Sequence, residues 1–260
     1  MKDDRLTGMY YDYAMAAPLM VQGKEPKDAD VLILGMGTGT YATQCKKYFG
    51  DMNMEGVEID EKITALSRKY FSLPEEVAVT TYDGRAFLHA VDKKYDVIMV
   101  DAYQDITIPF QMSSEEFFTL VKEYLNENGV MVVNMNMRGS GEGNINQYLS
   151  DTIASVFGTV CTVDVQDSTN RELFASDNAA VLDVLSQHTK ELQNPELKQM
   201  MAEVADNSSM YAAGDYIMTD DKAPVELLGM QVIDQLIQDE VTYYKGIYQK
   251  EGIDGLLKSL

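Results

Sequence analysis

VLILGMGTGT, residues 31–40, runs four apolar residues into three glycines spaced two apart, Gly35, Gly37 and Gly39. A strand that ends in glycines and turns into a helix lets backbone N–H groups and the helix N-terminus approach a ligand, because no Cβ intervenes. The dinucleotide fingerprint GxGxxG needs a third glycine where Thr40 stands. The GxGxG spacing therefore suits a ligand without a pyrophosphate, such as a nucleoside carrying a short charged tail.

Outward from this stretch, short β-rich runs alternate with longer runs of helical periodicity, the signature of βαβ units and a parallel sheet. The β-rich runs are 31–35, 54–59, 77–82, 95–102, 129–136, 159–165 and 171–176. VIMV and VMVV are apolar on both faces, so those strands are expected to be central, with helices on either side. The expectation is a doubly wound, mostly parallel seven-stranded α/β sheet over residues 31–260, preceded by a short N-terminal segment, 1–30, too short for a separate domain. Ser113 with Glu116 reads as a capping box, and Asn128-Gly129 as the left-handed close of the same helix. Residues 139–144 read as a mobile loop, and 181–205 and 227–245 as helices.

The next three strand ends each carry an acid. Glu58 lies at the carboxyl end of the strand that closes on VEID, Asp83 begins the turn after VAVTTY, and Asp101 follows YDVIMV. Open α/β sheets bind ligands at the carboxyl ends of their strands, so four consecutive βα junctions point at one crevice. Glu58 could accept from both ribose hydroxyls and Asp83 from an adenine amine, with Ile59 and Gly84 beside them. Each acid also has a local explanation, as a helix cap, a first-turn charge or a turn former.

Composition narrows the classes. Forty-two acidic and 21 basic side chains give a formal charge of −21, which repels phosphate backbones and anionic membranes and attracts cations. Nucleic acid and membrane partners are not expected; a cationic small molecule is. Two cysteines outside any CxxC spacing and two histidines argue against a metal site and against a Ser/His/Asp triad. The opening residues lack the pattern of a secretory signal and no apolar run reaches 18 residues, so the expected location is the cytoplasm. A homodimer is the default for a soluble oligomer.

The ordered series VLILGMGTGT, GVEIDEKITALSRKYF, TYDGRAFL, YDVIMVDAYQDITIP, SSEEFFTLVKEYLNENGVMVVN and TDDKAPVE resembles the spermidine synthase family of polyamine aminopropyltransferases, over about residues 9 to 228. Several of these motifs are shared with class I AdoMet-dependent methyltransferases; the apolar Ile33, where many methyltransferases carry an acid, separates the two. The resemblance implies a Rossmann-like methyltransferase fold binding AdoMet or decarboxylated AdoMet and moving an aminopropyl group to an amine such as putrescine, without a metal. It places Gly35, Gly37, Thr38 and Gly39 at the sulfonium tail, Glu58 at the ribose and Asp83 at the adenine. Asp101 becomes the catalytic acid, Tyr11 a tyrosine of the amine site, and Tyr103, Gln104 and Asp220 substrate contacts.

The sequence departs from the family pattern in four places. GMGTGT stands for GGGDGG, placing Thr38 where an acid commonly faces the donor amine. DAYQD stands for DSSDP, placing Gln104 where a second carboxylate grips the amine, and YDYAM stands for YHEM. Only about 30 residues precede the first strand, where the family carries a β-rich domain that supplies part of the substrate lid; the resemblance implies that the short segment 1–30 contributes to that lid. Methyl transfer from AdoMet to a small molecule, and nucleoside binding without catalysis, are the alternative functions. The cluster Tyr10, Tyr11 and Tyr13 could cage a cation or form a half-wet packing face, and Asp220 could wall the acceptor pocket or cap the following helix.

Overall fold

The computed structural model describes residues 5–103, 108–136 and 141–259. Its sheet has eight strands: β1 (Asp30–Leu34), β2 (Asn53–Glu58), β3 (Ala78–Thr81), β4 (Tyr95–Val100), β5 (Leu125–Met135), β6 (Thr159–Asp164), β7 (Arg171–Ser176) and β8 (Ser209–Met210). They lie in the order β3-β2-β1-β4-β5-β7-β6-β8. The first five are parallel and the last three join antiparallel. The chain builds outward from β1 through β2 to β3, then returns to add β4 on β1's other side. The crevice between the ends of β1 and β4 is thus the topological switch point.

The central strands are covered on both faces, as their continuous apolar runs require. Val31, Ile33, Val97, Met99, Val130 and Val132 enter one core layer. Leu32, Leu34, Ile98, Val100, Met131 and Val133 enter the other. Two short N-terminal helices, α1 (Tyr10–Tyr13) and α2 (Ala16–Met20), belong to the first layer, where residues 14–21 are wholly or almost wholly buried. Lys24 pins this segment to Asp96, whose carboxylate also accepts from Asp30 N and Asn126 Nδ2.

Helices α3 (Thr40–Phe49), α4 (Glu61–Tyr70) and α5 (Gly84–Ala90) follow β1, β2 and β3. Helix α6 (Glu115–Glu123) follows β4 and α7 (Ile145–Val156) follows β5; α8 (Val181–Glu191), α9 (Pro195–Asn207) and α10 (Val225–Ser259) complete the chain. Several expectations shift. The cap of α6 is Ser114, whose hydroxyl accepts from Phe117 N, one residue later than expected. Asn128 does adopt a left-handed φ of 60°, but inside the span of β5, where the β4–β5 register slips; α6 already ends at Glu123. The expected helix 181–205 is two, because Pro195 starts a new one behind the cap Asn194. The last helix is longer than expected and breaks at Gly252, φ 67°. Of the loop expected at 139–144, residues 139 and 140 lie outside the described residues.

No helix of the described residues is long and apolar enough to cross a membrane, and no metal-binding group of histidine, cysteine and carboxylate side chains occurs among them. Cys45 and Cys161 are buried free thiols, both pushed up to about 12 by burial.

Candidate active site

A cavity of about 660 Å³ opens at the switch point. Gly35 takes φ 88° immediately after β1, and a Cβ there would stand 2.5 Å from the Asp101 carbonyl oxygen. That bare Cα lets the chain leaving β4 lie close against the end of β1: Asp101 N donates to Leu34 O at 2.9 Å, continuing the parallel pairing of the two strands. Gly37, with φ 54° and open space beside it, donates its N–H to Glu58 Oε2 at 2.8 Å. Glu58 Oε1 accepts from Asp60 N at 3.0 Å. Almost wholly buried, this carboxylate ties the glycine loop to the end of β2 and lines the crevice.

The structure brings Gly35, Gly37, Thr38, Glu58, Ile59, Asp83, Gly84, Asp101 and Tyr103 to that one cavity. Asp83 is also the cap of α5, its Oδ1 accepting from Ala86 N at 2.8 Å. Thr38 Oγ1 lies 3.1 Å from Thr40 Oγ1, so the loop carries hydroxyls where the family pattern has an acid. Tyr103 donates to the backbone carbonyl of Asn134 and accepts from Asn136 N, which fixes its ring along the cavity wall.

Three assignments are corrected. Gly39 is the cap of α3 at φ 78° and faces Leu73, whose Cδ1 would lie 2.5 Å from an added Cβ; it turns away from the crevice. Asp220 is held at 2.7 Å by both terminal nitrogens of Arg85 and also accepts from Ser114 Oγ, outside the crevice. The Arg85 guanidinium holds its carboxyl below the usual range. Nor does Asp220 cap α10, which starts at Val225. The third concerns the tyrosines. Tyr10, not Tyr11, donates to Asp101 Oδ2, at 2.9 Å. Tyr11 stands about 100° further round α1. Its hydroxyl lies 2.8 Å from Thr7 Oγ1, and it lines, together with Asp101, Gly35 and Thr38, a side cavity of about 50 Å³ next to the crevice. Gln104 lies outside the described residues.

Asp101 is thus gripped on both oxygens, by Tyr10 on Oδ2 and by Asn134 Nδ2 on Oδ1 at 2.8 Å. Asn134 is itself held by Asn170 Nδ2 at 2.7 Å. Burial pushes the Asp101 carboxyl up to about 6, against the lowering effect of its two donors. Asp12, one of the departures from the family pattern, positions Tyr10. Its Oδ2 accepts from Thr7 N and Gly8 N at 2.6 and 2.9 Å, closing the turn that leads Met9 and Tyr10 to the cavity.

Below this site lies an acid that the sequence reading missed. Glu172 faces Asn134 across the β5–β7 ladder, is wholly buried, and neither oxygen has a hydrogen-bond partner among the described residues. Burial first, and the Asp101 charge second, push it well above the usual carboxylate range. The signal was present: in RELFAS, Glu172 shares a strand face with Phe174, and an acid on a core face is rare unless it is neutral or paired. A raised folded-state value means that this group's contribution to stability is complete below its unfolded value and fades as pH rises toward the folded one. Glu172→Gln, neutral throughout, is therefore expected to melt near the parent at about pH 5 and above it at about pH 9. Equal melting differences at both ends, in calorimetry, would mean that Glu172 is not neutral in the fold.

A mostly parallel sheet with a glycine loop and three acids at successive strand ends is the architecture of Rossmann-like α/β proteins of the methyltransferase-like class. The fold is shared with human methyltransferase-like protein 13 in complex with SAH (TM-score 0.59, 19% identity, 82% of this chain and 99% of that one). It is shared equally with spermidine synthase from Thermotoga maritima (TM-score 0.61, 16% identity, 76% and 71%). Residues 9–168 match the spermine/spermidine synthase domain, and the chain belongs to that family. A probable polyamine aminopropyl transferase of Bifidobacterium longum is 53% identical over the whole of this chain and 61% of its own length. A polyamine aminopropyltransferase of Vibrio vulnificus is 27% identical over 67% of this chain and 58% of its own. The chain thus spans about three-fifths of these curated relatives.

Proposed function

We propose that this chain binds decarboxylated AdoMet in the crevice and transfers its aminopropyl group to a small amine such as putrescine. The observation that carries the reading is Asp101, oriented on both oxygens at the floor of a cavity whose described walls hold three carboxylates and no Lys, Arg or His. A decarboxylated donor ends in an ammonium alone, whereas AdoMet adds a carboxylate that such walls repel. When bound, the donor supplies an electrophilic carbon beside S⁺, whose C–S electron pair leaves with sulfur as a neutral thioether.

The residues supply the rest. A free alkylamine has a pKa near that of lysine, about 10.4, so the nucleophile arrives protonated and must lose a proton to attack. Asp101, ionised above about pH 6, accepts that proton. Tyr10 and Asn134 hold the carboxylate in one orientation. Glu58 and Asp83 offer acceptors for the ribose and adenine, and the Met9–Tyr10 turn closes one side as a short lid.

Titration calorimetry with decarboxylated AdoMet, AdoMet and methylthioadenosine, followed by mass analysis of products with putrescine, tests this. The expected order is decarboxylated donor tighter than AdoMet, with an aminopropylated product; no binding by any of the three overturns the reading. Methyl transfer is the second reading, favoured by Thr38 in place of the family's acid. It takes over if AdoMet binds tighter and a methylated amine forms.

The Tyr10 contact gives a sharper expectation. Its hydrogen bond lowers the Asp101 pKa, so Tyr10→Phe should move the acidic limb of kcat/KM to higher pH, by about one unit for a net 1.4 kcal/mol. Tyr11→Phe should leave that limb in place. A limb moved by Tyr11→Phe and not by Tyr10→Phe would reverse the assignment of the two.

A further inference from the structure

Asp101 is the end of a longer polar row. Leu34 pairs with Val100, Val100 with Val133 and Asn134 with Glu172, so Gly35, Asp101, Asn134 and Glu172 share one rung of the sheet. Val132 and Val130 precede Asn134 on the same strand face and lie in the core, which leaves the amide at the rim of an apolar layer, where its orientation must be specified. Glu172 does not specify it, having no hydrogen-bond partner among the described residues. The group that does is Asn170, the residue before β7, whose carbonyl accepts from Val165 N at 3.0 Å and closes the β6–β7 hairpin.

An asparagine amide has two ends of opposite character, and only one suits a carboxylate. Asn134 Nδ2 donates to Asp101 Oδ1 at 2.8 Å; turned over, Asn134 would set its own oxygen against that acceptor. Asn170 Nδ2 donates to Asn134 Oδ1 at 2.7 Å and so requires the first orientation. Asn170 carries the same ambiguity, and Ser168 resolves it. The Ser168 hydroxyl accepts from Asn170 N at 3.2 Å and donates its single proton to Asn170 Oδ1 at 2.7 Å. Donors therefore run one way, from Ser168 through Asn170 and Asn134 to Asp101, and each bond in such a chain strengthens the next.

We propose that Asn170 and Ser168 are positioning residues that fix which end of the Asn134 amide faces Asp101, and thereby favour the carboxylate. Around Asp101 stand Tyr10 and Tyr11 of α1, Tyr41 of α3, Tyr103 beyond β4, and the acids Glu58, Asp83 and Glu172. No cation lines either cavity that Asp101 borders among the described residues, so donors such as Asn134 do the work that a positive charge would do elsewhere.

Titration of the Asp101 carboxyl carbon by NMR, in the whole chain without ligand and with the signal identified by its loss in Asp101→Asn, tests this. Asn170→Leu leaves Asn134 Oδ1 unpaired unless Asp101 is protonated and donates to it. Asp101 should therefore titrate about one unit higher, the tenfold change that one hydrogen bond to a charged group is worth. Ser168→Ala should move it the same way by about half as much, and Ser168→Thr, which keeps the hydroxyl, should titrate with the parent. Ser168 is partly exposed and lines neither cavity that Asp101 borders, so its variants should fold and its effect can reach the carboxyl only through the two amides. An unmoved titration in Asn170→Leu overturns the proposal, and a shift there with none in Ser168→Ala removes Ser168 from it. The consequence for catalysis rests on the reading of the crevice: the acidic limb of kcat/KM should move with the titration. If the titration moves but no aminopropylated amine forms, that reading fails and the orientation of Asn134 stands.

Discussion

Asp101→Asn is expected to lower kcat/KM for aminopropyl transfer by about 10² to 10⁴, the range over which a positioned general base contributes, while methylthioadenosine binds as before. The amide keeps the volume and can still accept from Tyr10 or Asn134 through its oxygen. What it lacks is a site for the amine's proton. Stopped turnover with intact nucleoside affinity is therefore the signature of a base, whereas a role in gripping the ligand would raise KM and weaken both. Unchanged turnover would remove Asp101 from the chemistry, and with it the argument for which end of the crevice reacts.

The same substitution is expected to stabilise the fold at neutral pH. Burial raises the Asp101 carboxyl from 3.8 to about 6, so its contribution to stability is complete below 3.8 and is lost as pH rises through about 6. By pH 7 the ionised form costs about 3 kcal/mol relative to an exposed aspartate. Asparagine avoids that penalty, so the variant should melt higher than the parent at pH 7 and equal it near pH 4. Activity runs the opposite way, climbing through about pH 6 as the carboxylate forms. A group that strains the fold at the pH where it works is what a stability–activity trade-off looks like at one residue.

How much of this was legible depended on whether the signal was local. VIMV and VMVV declared central strands because nothing but burial on both faces tolerates such runs, and their alternate residues do enter opposite core layers. The acids at the strand ends were legible because the strand endings themselves were. Phase on a short helix was not: YYDY offers tyrosines at three of four positions, and only the turn closed by Asp12 decides that Tyr10 faces Asp101. Asp220 was misplaced because its partner, Arg85, lies 135 residues away in the chain. Gly39 looked like its two neighbours until Leu73 arrived from beyond α4 to occupy the space beside it. Strand β8, two exposed residues long, carries no periodicity to detect.

Gly35 is where backbone and chemistry meet, and Gly35→Ala is expected to be the most damaging single methyl in the protein. Its φ of 88° lies in a region that residues with a Cβ rarely occupy, which costs about 1 to 3 kcal/mol. The added Cβ would stand 2.5 Å from Asp101 O and 2.7 Å from Ala102 Cα and N. All three are backbone atoms, so no rotamer change relieves the clash. The end of β4 must move, and overpacking of this kind costs a further 1 to 3 kcal/mol or so. Together these approach the whole stability of a marginal domain, about 5 to 15 kcal/mol. Gly37→Ala is the control. Its φ of 54° lies in the left-handed region open to other residues, and nothing stands within 4 Å of the added atom; it should cost about 1 to 2 kcal/mol. Chemical denaturation should order them parent, Gly37→Ala, Gly35→Ala. If Gly35→Ala folds as well as the Gly37 control, the chain leaving β4 does not pack against Gly35, and Asp101 is not held where proton transfer requires it.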